Sequence, residues 1–350
     1  MWVDLVVIGV KLAFGLVVLL TTVPIMVWVE RRGSALIQDR LGPNRVGPLG
    51  LLQPIVDVVK LLTKEVITPV GVRPLLYILA PAIAVIVALS TFIAIPIGKD
   101  SGLELFGHAV NGFIVAPDLN IGLLYIFAIA SFGVFPLLLA GWSSDNKYAL
   151  IGGVRASAQA ISYEIAMIVA IVGVLMSSGT LRLQQIVDAQ SGVWMGFLPH
   201  WNVFPQLIGA IIFMVAVFAE TNRLPFDLPE AEAELVAGYH TEYSSIRFAA
   251  FYMSEYIHMT VGASLITVLF LGGWNLPWID IPFEGWAGAL LSMAVFAVKV
   301  AMLLWFFVWV RWTLPRFRYD QLMALGWKVM VPLAVLNFLW VGVAMALGFV

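Results

Sequence analysis

The sequence has no cysteine and few charged residues. Without cysteine, the chain cannot form a disulfide, hold a thiolate-ligated iron–sulfur cluster or build a cysteine-type zinc site. Charged residues make up 11% of the 350 residues, whereas soluble domains contain about 25%. Hydrophobic residues make up 61%, and the mean hydropathy is +0.98. This composition is typical of an integral membrane protein, and it predicts one membrane domain over residues 1–350 without a soluble domain.

Histidine is also scarce, and the few histidines lie in different segments without the spacing of metal ligands. They are His108, His200, His240 and His258. We therefore expect no metal site and no haem in this chain. Flavin or iron–sulfur chemistry, which needs a soluble fold or cysteines, must come from partner subunits. We expect no nucleic-acid partner.

Eight apolar runs are long enough to cross a bilayer core, which takes about 20 residues per helix. They lie near residues 2–29, 75–97, 121–142, 158–176, 204–219, 250–272, 287–310 and 329–348. The first run is too long for the apolar core of a signal peptide and lacks a small-residue cleavage site. We predict an all-α protein with about eight transmembrane helices and both termini on the same side.

The basic residues of the predicted loops lie almost entirely on one side of the membrane. Fifteen of the 19 lysines and arginines fall in loops at about 30–74, 143–157, 220–249 and 311–328. The opposite side has only Lys99 and Arg182. Because cytoplasmic loops carry the excess of lysine and arginine, we expect these four loops to be cytoplasmic and both termini periplasmic, in a bacterial inner membrane.

The first of these loops contains a second kind of helix. Its polar residues recur at spacings of four, three and four, and apolar residues fill the other side. They are Gln53, Asp57, Lys60 and Lys64. This pattern predicts an amphipathic helix over about 52–64, suited to the membrane interface or to packing against other spans. A surface helix that only packs is the alternative.

Five of the charged residues within the predicted spans or at their ends are candidates for a function. They are Lys11, Glu164, Glu220, Glu255 and Lys299. A charge at the centre of a span costs about 2.5–3.5 kcal/mol on insertion scales, so such residues need a partner or a function. Glu164, in the middle of a span, is a candidate for a proton relay, with Lys299 as a candidate for the same polar path. Helix-to-helix pairing is the alternative, as is snorkelling for Glu220 and Glu255.

The third cytoplasmic loop is acidic, on the side of the membrane that is otherwise basic. It carries Glu220, Asp227, Glu230, Glu232, Glu234 and Glu242, offset within the loop only by Arg223 and Arg247. The spacing of Asp227 and Glu230 predicts a capped helix that begins at Leu228. Carboxylates this close raise one another's pKa values when they are partly buried, which suits groups that exchange protons. A solvated acidic first turn of a helix is the alternative.

Several segments resemble a known family, the membrane subunit of respiratory complex I (NADH:quinone oxidoreductase) that forms the quinone chamber. The similar segments are Glu30-Arg31-Arg32; 40–48, Arg-Leu-Gly-Pro-Asn-Arg-Val-Gly-Pro; 52–65, Leu-Gln-Pro-Ile-Val-Asp-Val-Val-Lys-Leu-Leu-Thr-Lys-Glu; 141–148, Gly-Trp-Ser-Ser-Asp-Asn-Lys-Tyr; 155–164, Arg-Ala-Ser-Ala-Gln-Ala-Ile-Ser-Tyr-Glu; the acidic loop 220–242; Glu255-Tyr256; and 314–322, Leu-Pro-Arg-Phe-Arg-Tyr-Asp-Gln-Leu. They extend from the end of the first span to the last cytoplasmic loop, and together they are specific.

The resemblance implies that this protein is one wall of a quinone cavity. In the family, quinone passes from the lipid between the first span, the sixth span and the interfacial helix, and meets an iron–sulfur cluster of a neighbouring hydrophilic subunit. The acidic loop and a chain of carboxylates then couple quinone reduction to proton movement in antiporter-like subunits. By this resemblance, coupling roles fall to Glu164, Glu220, Asp227, Glu230, Glu232, Glu234, Glu242 and Glu255. Positions at the cavity mouth and its cytoplasmic junction fall to Arg31, Arg40, Arg45, Asp57, Lys60, Arg223 and Arg247.

Other functions stay open from the sequence. Related membrane subunits occur in energy-converting hydrogenases and in ferredoxin- or F420-linked complexes. A stand-alone proton-coupled transporter could use Glu164 and Lys299, although the sequence shows no matched halves with broken helices. A passive anchor for peripheral enzymes would leave the carboxylates within the spans unexplained.

Overall fold

The structure is a computed structural model that describes residues 2–99, 103–105, 108–110, 119–194, 196–229, 232–278 and 285–348. Within these ranges the chain is almost entirely helical. The helices are α1 (Trp2–Ile37), α2 (Gln53–Thr63), α3 (Pro74–Ile93), α4 (Gly122–Ser131), α5 (Val134–Ser143), α6 (Lys147–Ser178), α7 (Leu183–Ala189), α8 (Leu207–Glu220), α9 (Glu232–Leu235), α10 (Ser245–Phe270), α11 (Gly285–Thr313), α12 (Tyr319–Ala324) and α13 (Val331–Ala346). Two antiparallel hairpins follow α3 and α7: β1 (Leu103–Leu105) with β2 (His108–Val110), and β3 (Val193–Trp194) with β4 (Leu198–Pro199).

Among the described residues, seven helical stretches are long and apolar enough to cross a membrane. They are Gly9–Ile37, Pro74–Ile93, Gly122–Ser143, Lys147–Ser178, Ser245–Phe270, Ala287–Thr313 and Tyr319–Ala346. The prediction of a helical, multi-pass membrane protein is thus confirmed. The remaining predicted span, 204–219, corresponds to α8, which has 14 residues. At 1.5 Å per residue, α8 rises about 21 Å, less than the roughly 30 Å of the hydrocarbon core.

Two helices extend beyond the predicted spans. α1 continues to Ile37 through the segment Glu30-Arg31-Arg32, which hydropathy assigns to the first loop. α6 begins at Lys147 rather than near residue 158. The side chain of Asn146 accepts a hydrogen bond from the backbone N–H of Tyr148 (2.8 Å) and caps the start of this helix. Most of the predicted loop 143–157 is therefore helical.

Two of the membrane-crossing stretches are interrupted. Between α4 and α5, Pro136 has no N–H to donate to the carbonyl of Phe132, which instead accepts from the N–H of Phe135 (3.1 Å). Between α12 and α13, residues Leu325–Met330 form a π-helix just before Pro332. π-Helical turns and broken membrane helices are frequent at functional sites.

The core is built around α6 and α10. α10 packs against α1, α2, α3, α8 and α11, and every residue from Met259 to Phe270 is buried. α6 packs against α5, α8 and α13. Because small residues let membrane helices approach closely, Gly141 of α5 lies directly against Gly153 of α6. These two central helices flank the site described next.

Candidate functional site

A small cavity inside the helix bundle is lined by several titratable side chains. Glu164 of α6, Glu220 of α8 and Glu255 of α10 face it, together with Tyr239 and His258. We name it the carboxylate cavity. Its volume is about 50 Å³, and a water needs about 10–15 Å³ of such space, so a few ordered waters fit between the carboxylates. Three residues that the sequence marks separately as candidates therefore share one pocket.

Glu164 faces the carboxylate cavity from the middle of α6. Ser131, the last residue of α4, donates a hydrogen bond to its Oε1. The helix stops just after Ser131 and starts again at Val134. The break between α4 and α5 therefore lies directly beside an ionisable group, as is typical of binding sites built from discontinuous membrane helices.

Glu220 and Glu255 also face inward. Glu220 ends a helix that is shorter than the hydrocarbon core, and the three residues after it, 221–223, are buried. Oε1 of Glu255 accepts a hydrogen bond from the hydroxyl of Tyr239 at 3.1 Å. Snorkelling at the end of a span does not describe either residue, since both line the carboxylate cavity.

The acidic loop is fixed to the wall of this cavity. Nε2 of the fully buried Gln159 donates to the backbone carbonyls of Ala219 (2.8 Å) and Phe226 (2.9 Å) at the start of the loop. Farther along, the 3₁₀-helix Gly238–His240 packs on α6 at Gly152, where a Cβ atom would come within 2.8 Å of the Gly238 Cα. Glycine at 152 therefore lets the loop approach closely enough for its tyrosine to reach Glu255.

The other loop carboxylates that are described bind separate partners rather than one another. The pairs are Asp227 with Arg316 (2.8 Å), Glu234 with Arg155 (2.6 Å) and Glu242 with Asn146 (2.6 Å). Two of these partners are arginines from outside the loop. The loop is therefore offset by more positive charge than its own two arginines supply.

The predicted helix start at Leu228 is wrong. Leu228 and Pro229 lie in a turn, and the short helix α9 covers Glu232–Leu235. Tertiary contacts explain the difference, because Leu228 is buried in the core and the preceding Asp227 is paired with Arg316. Glu230 lies outside the described residues, and of Glu232 only the backbone is described.

A buried ion-pair cluster, which the sequence patterns do not reveal, lies at the start of the acidic loop. Oε2 of Glu30 accepts hydrogen bonds from Arg223 (2.9 Å) and Tyr256 (2.7 Å), and its Oε1 accepts one from Arg311. Burial alone would lower the pKa of Arg223, but the adjacent Glu30 carboxylate raises that pKa well above its usual value. The Glu30 cluster ties α1, α10 and α11 to the acidic loop.

α2 lies where the sequence predicts a helix, and it is bonded to two neighbouring helices. Near its middle, Asp57 pairs with Arg31 of α1 at 2.5 Å. At its end, the hydroxyl of Ser245, the first residue of α10, donates to the carbonyls of Leu61 (2.7 Å) and Lys64 (3.1 Å). The last turn of a helix leaves such acceptors unsatisfied. Ser245 therefore caps α2 and links it to α10.

The remaining residues predicted for the cavity mouth lie on the same side of the bundle. Arg247 donates to the hydroxyl of Thr68 (3.0 Å), in the segment after α2. Arg40, Arg45 and Lys60 are exposed. These three side chains are therefore accessible, whereas Arg223 is committed to Glu30.

Neither a Glu164–Lys299 pair nor a metal centre is found among the residues that the structure describes. Nζ of Lys299 donates to the backbone carbonyls of Leu271 (2.8 Å), Gly273 (2.9 Å) and Asn275 (2.7 Å). All three protons of its ammonium group are thus used to hold the segment that follows α10. In the same described ranges, no three histidine, aspartate or glutamate side chains are grouped to bind a metal ion.

Comparison with known proteins identifies relatives along nearly the whole sequence. Residues 10–342 match the model of the family described as NADH dehydrogenase. The chain is 48% identical to an NADH-quinone oxidoreductase subunit of Geobacter metallireducens, over 95% of this chain and 94% of that protein. It is 44% identical to the corresponding NADH-quinone oxidoreductase subunit of Bdellovibrio bacteriovorus, over 94% of this chain and 93% of the relative.

Proposed function

Because the chain belongs to the NADH dehydrogenase family as a membrane subunit of NADH-quinone oxidoreductase, we propose that it binds quinone and couples quinone reduction to proton translocation. The observation that carries the coupling is the meeting of Glu164, Glu220 and Glu255 at one cavity. Proton transfer through a membrane needs groups that can gain and lose protons within the apolar layer. Half-buried carboxylates within the bundle suit this role because an apolar surrounding penalises their charged form.

We place the quinone between α1, α10 and α2. The exposed face of α2 is apolar, with Ile55, Val59 and Leu62 more than half exposed, so it can contact lipid or an apolar quinone tail. α2 is bonded to α1 and to α10, and the proposed opening lies between these three helices. The residues proposed for its mouth and cytoplasmic junction are Arg31, Arg40, Arg45, Asp57, Lys60, Arg223 and Arg247. The quinone is a substrate held jointly with the partner subunit that supplies electrons.

Two contacts connect this opening to the carboxylate cavity. Ser245 joins α2 to α10, the helix that also carries Glu255. Glu30 joins α1 to Arg223, three residues after Glu220. A quinone that displaces α2 or changes the charge beside Glu30 alters the surroundings of the cavity carboxylates, which then take up or release protons. The loop carboxylates extend this path to the surface: Asp227, Glu230, Glu232, Glu234 and Glu242.

We further propose that α8 completes an eighth crossing together with the segments beside it, so that both termini are periplasmic in a bacterial inner membrane. The excess of lysine and arginine on the face that bears α2 and the acidic loop supports a cytoplasmic location for that face. Hydrophilic iron–sulfur subunits dock on it, and antiporter-like subunits lie beside the bundle in the bilayer. The protein forms a single membrane domain.

The alternative functions have less support. A transporter would use Glu164 with Lys299, but the ammonium group of Lys299 is taken by backbone carbonyls. The relatives compared above are named for NADH and quinone rather than for hydrogen or ferredoxin. Purification in mild detergent should recover flavin and iron–sulfur subunits with the chain. A stable, active homo-oligomer would favour a transporter, and quinone-independent activity with hydrogen would favour a hydrogenase.

Changing Glu230, Glu232 and Glu234 to glutamine together should lower NADH:quinone turnover by about 10-fold, because glutamine keeps the shape of the side chain but cannot carry a proton. Oxidation of NADH by an artificial dye, which bypasses the quinone, should remain near the parental level. Both rates are measured on membranes that contain the whole complex. An equal loss of both rates would indicate an assembly defect and count against coupling.

A photoreactive quinone should label residues 52–64, or residues of α1 and α10, because these elements frame the proposed opening. Labelled sites are read by mass spectrometry of the purified complex. If the labelling occurs at a specific site, an excess of unreactive quinone should suppress it. Labelling confined to other subunits would contradict lateral access through this protein.

A further inference from the structure

A second, smaller pocket adjoins the carboxylate cavity and shares two of its polar residues. Glu220 and His258 line both. The smaller pocket has a volume of about 10 Å³, which is close to the space of one water. Its third polar residue is Thr91, and the rest of its lining is apolar. It is therefore a narrow continuation of the carboxylate cavity, with a histidine at the junction.

The continuation leads away from the acidic loop. α3 and α10 both begin on the side of the bundle where the loop lies, since the segment before α3 is hydrogen-bonded to the start of α10. On α3, the carboxylate cavity is lined by Ala84 and the smaller pocket by Thr91. On α10, the corresponding residues are Ser254 and Leu265. Both helices therefore place the smaller pocket deeper in the bundle, toward the opposite face.

His258 is well suited to connect the two pockets. It lies three residues after Glu255, and residues at this spacing share a face of a helix. His258 is half-buried, whereas the next twelve residues of α10, 259–270, are all buried. Imidazole carries one donor and one acceptor nitrogen when neutral, so it can receive a proton on one side and release one on the other. The titratable groups that face it across the carboxylate cavity are Glu164, Glu220, Tyr239 and Glu255.

We propose that His258 is a further proton-transfer residue, which takes a proton from Glu220 and delivers it through the smaller pocket toward the face opposite the acidic loop. The carboxylic acid of Glu220 gives its proton to the free ring nitrogen, leaving a carboxylate and an imidazolium. The imidazolium then gives a proton to a water in the smaller pocket, and the ring is neutral again. This inference rests on the proposed coupling function and extends it, because this protein then conducts the proton itself.

The test compares His258→Gln with Glu220→Gln and with a control, His200→Gln, whose histidine is exposed and lies outside both pockets. NADH:quinone turnover in membranes that hold the complex is divided by NADH oxidation with an artificial dye. This ratio corrects for the amount of assembled complex, so a variant assembled in low yield can still be compared with the parent. His258→Gln should lower this ratio by about 10-fold or more, because glutamine cannot take up and release a proton. His200→Gln should leave it unchanged.

A second variant separates proton transfer from packing. His258→Ala leaves space for a small molecule, and added 4-methylimidazole should restore turnover, whereas toluene, of similar size but without a titratable group, should not. A parental ratio in His258→Gln, or a loss in His258→Ala that 4-methylimidazole does not restore, would overturn the role of His258. Full turnover in Glu220→Gln would instead refute the proposed coupling function, whatever the histidine variants show.

Discussion

Replacing Glu220 with glutamine should reduce NADH:quinone turnover by about 100-fold, while oxidation of NADH by an artificial dye continues. Glutamine fills the same space at the end of α8 and keeps hydrogen-bonding atoms there, but it cannot release a proton. Positioned proton-transfer groups contribute about 100-fold or more to rates. Glu220 should show a large effect because it borders both the carboxylate cavity and the pocket that leads deeper into the bundle.

The matched control for this variant is Asp320→Asn. Asp320 is an acidic residue of the same protein, with a side chain that is 66% exposed and paired with Arg318 on the surface. Exposed ion pairs contribute little to stability, so this change should leave both rates at parental values. If Glu220→Gln matches Asp320→Asn in quinone turnover, the carboxylate cavity does not take part in coupling.

Replacing Arg223 with methionine should destabilise the protein by about 3–5 kcal/mol, because removing one partner of a buried ion pair leaves the other charge uncompensated. Arg223 and the Glu30 that it binds are 5% and 7% exposed. The expected result is a lower yield of assembled complex and a lower thermal midpoint for its subunit dissociation. Arg311 still binds Glu30 in this variant, so this range is an upper bound.

Two further variants test the cause of the lost stability in Arg223→Met. Arg318→Met removes an arginine from an exposed pair and should have almost no effect. The double variant Glu30→Gln with Arg223→Met removes both buried charges and should be more stable than Arg223→Met alone. If the double variant is less stable than the single one, an unpaired Glu30 carboxylate is not the cause of the loss in Arg223→Met.

The residues of the carboxylate cavity can be selected from the sequence, but their meeting cannot be predicted from it. Glu164, Glu220 and Glu255 stand out because charge is rare and expensive within apolar runs. That they face one pocket depends on the short length of α8 and on how α6 and α10 pack against it. These properties depend on packing between segments far apart in the sequence, and a hydropathy profile cannot predict them.

The Glu30 cluster escapes prediction because hydropathy marks where an apolar run ends, not where a helix ends. Hydropathy places Glu30 in a basic loop, whereas α1 continues beyond it and carries the carboxylate to Arg223 and Arg311. His258 does leave a signal in the sequence, since it follows Glu255 at helical spacing. The spacing among the histidines does not reveal it, because the four histidines lie in four different segments.

The acidic loop shows how tertiary contacts override local patterns. Asp227 and Glu230 have the spacing of a capping box, yet the structure has a turn at Leu228 because that side chain is buried and Arg316 binds Asp227. The arginines that pair with the loop come from α6 and from the segment before α12. No counting of charges within the loop could include them.

The central claim, that quinone reduction changes the protonation of the carboxylate cavity, is tested most directly by infrared difference spectroscopy of the whole complex with oxidised and reduced quinone. The account predicts a difference band in the C=O stretching region of protonated carboxyl groups, lost in Glu220→Gln and retained in Asp320→Asn. Identical difference spectra for the parent and Glu220→Gln would contradict it.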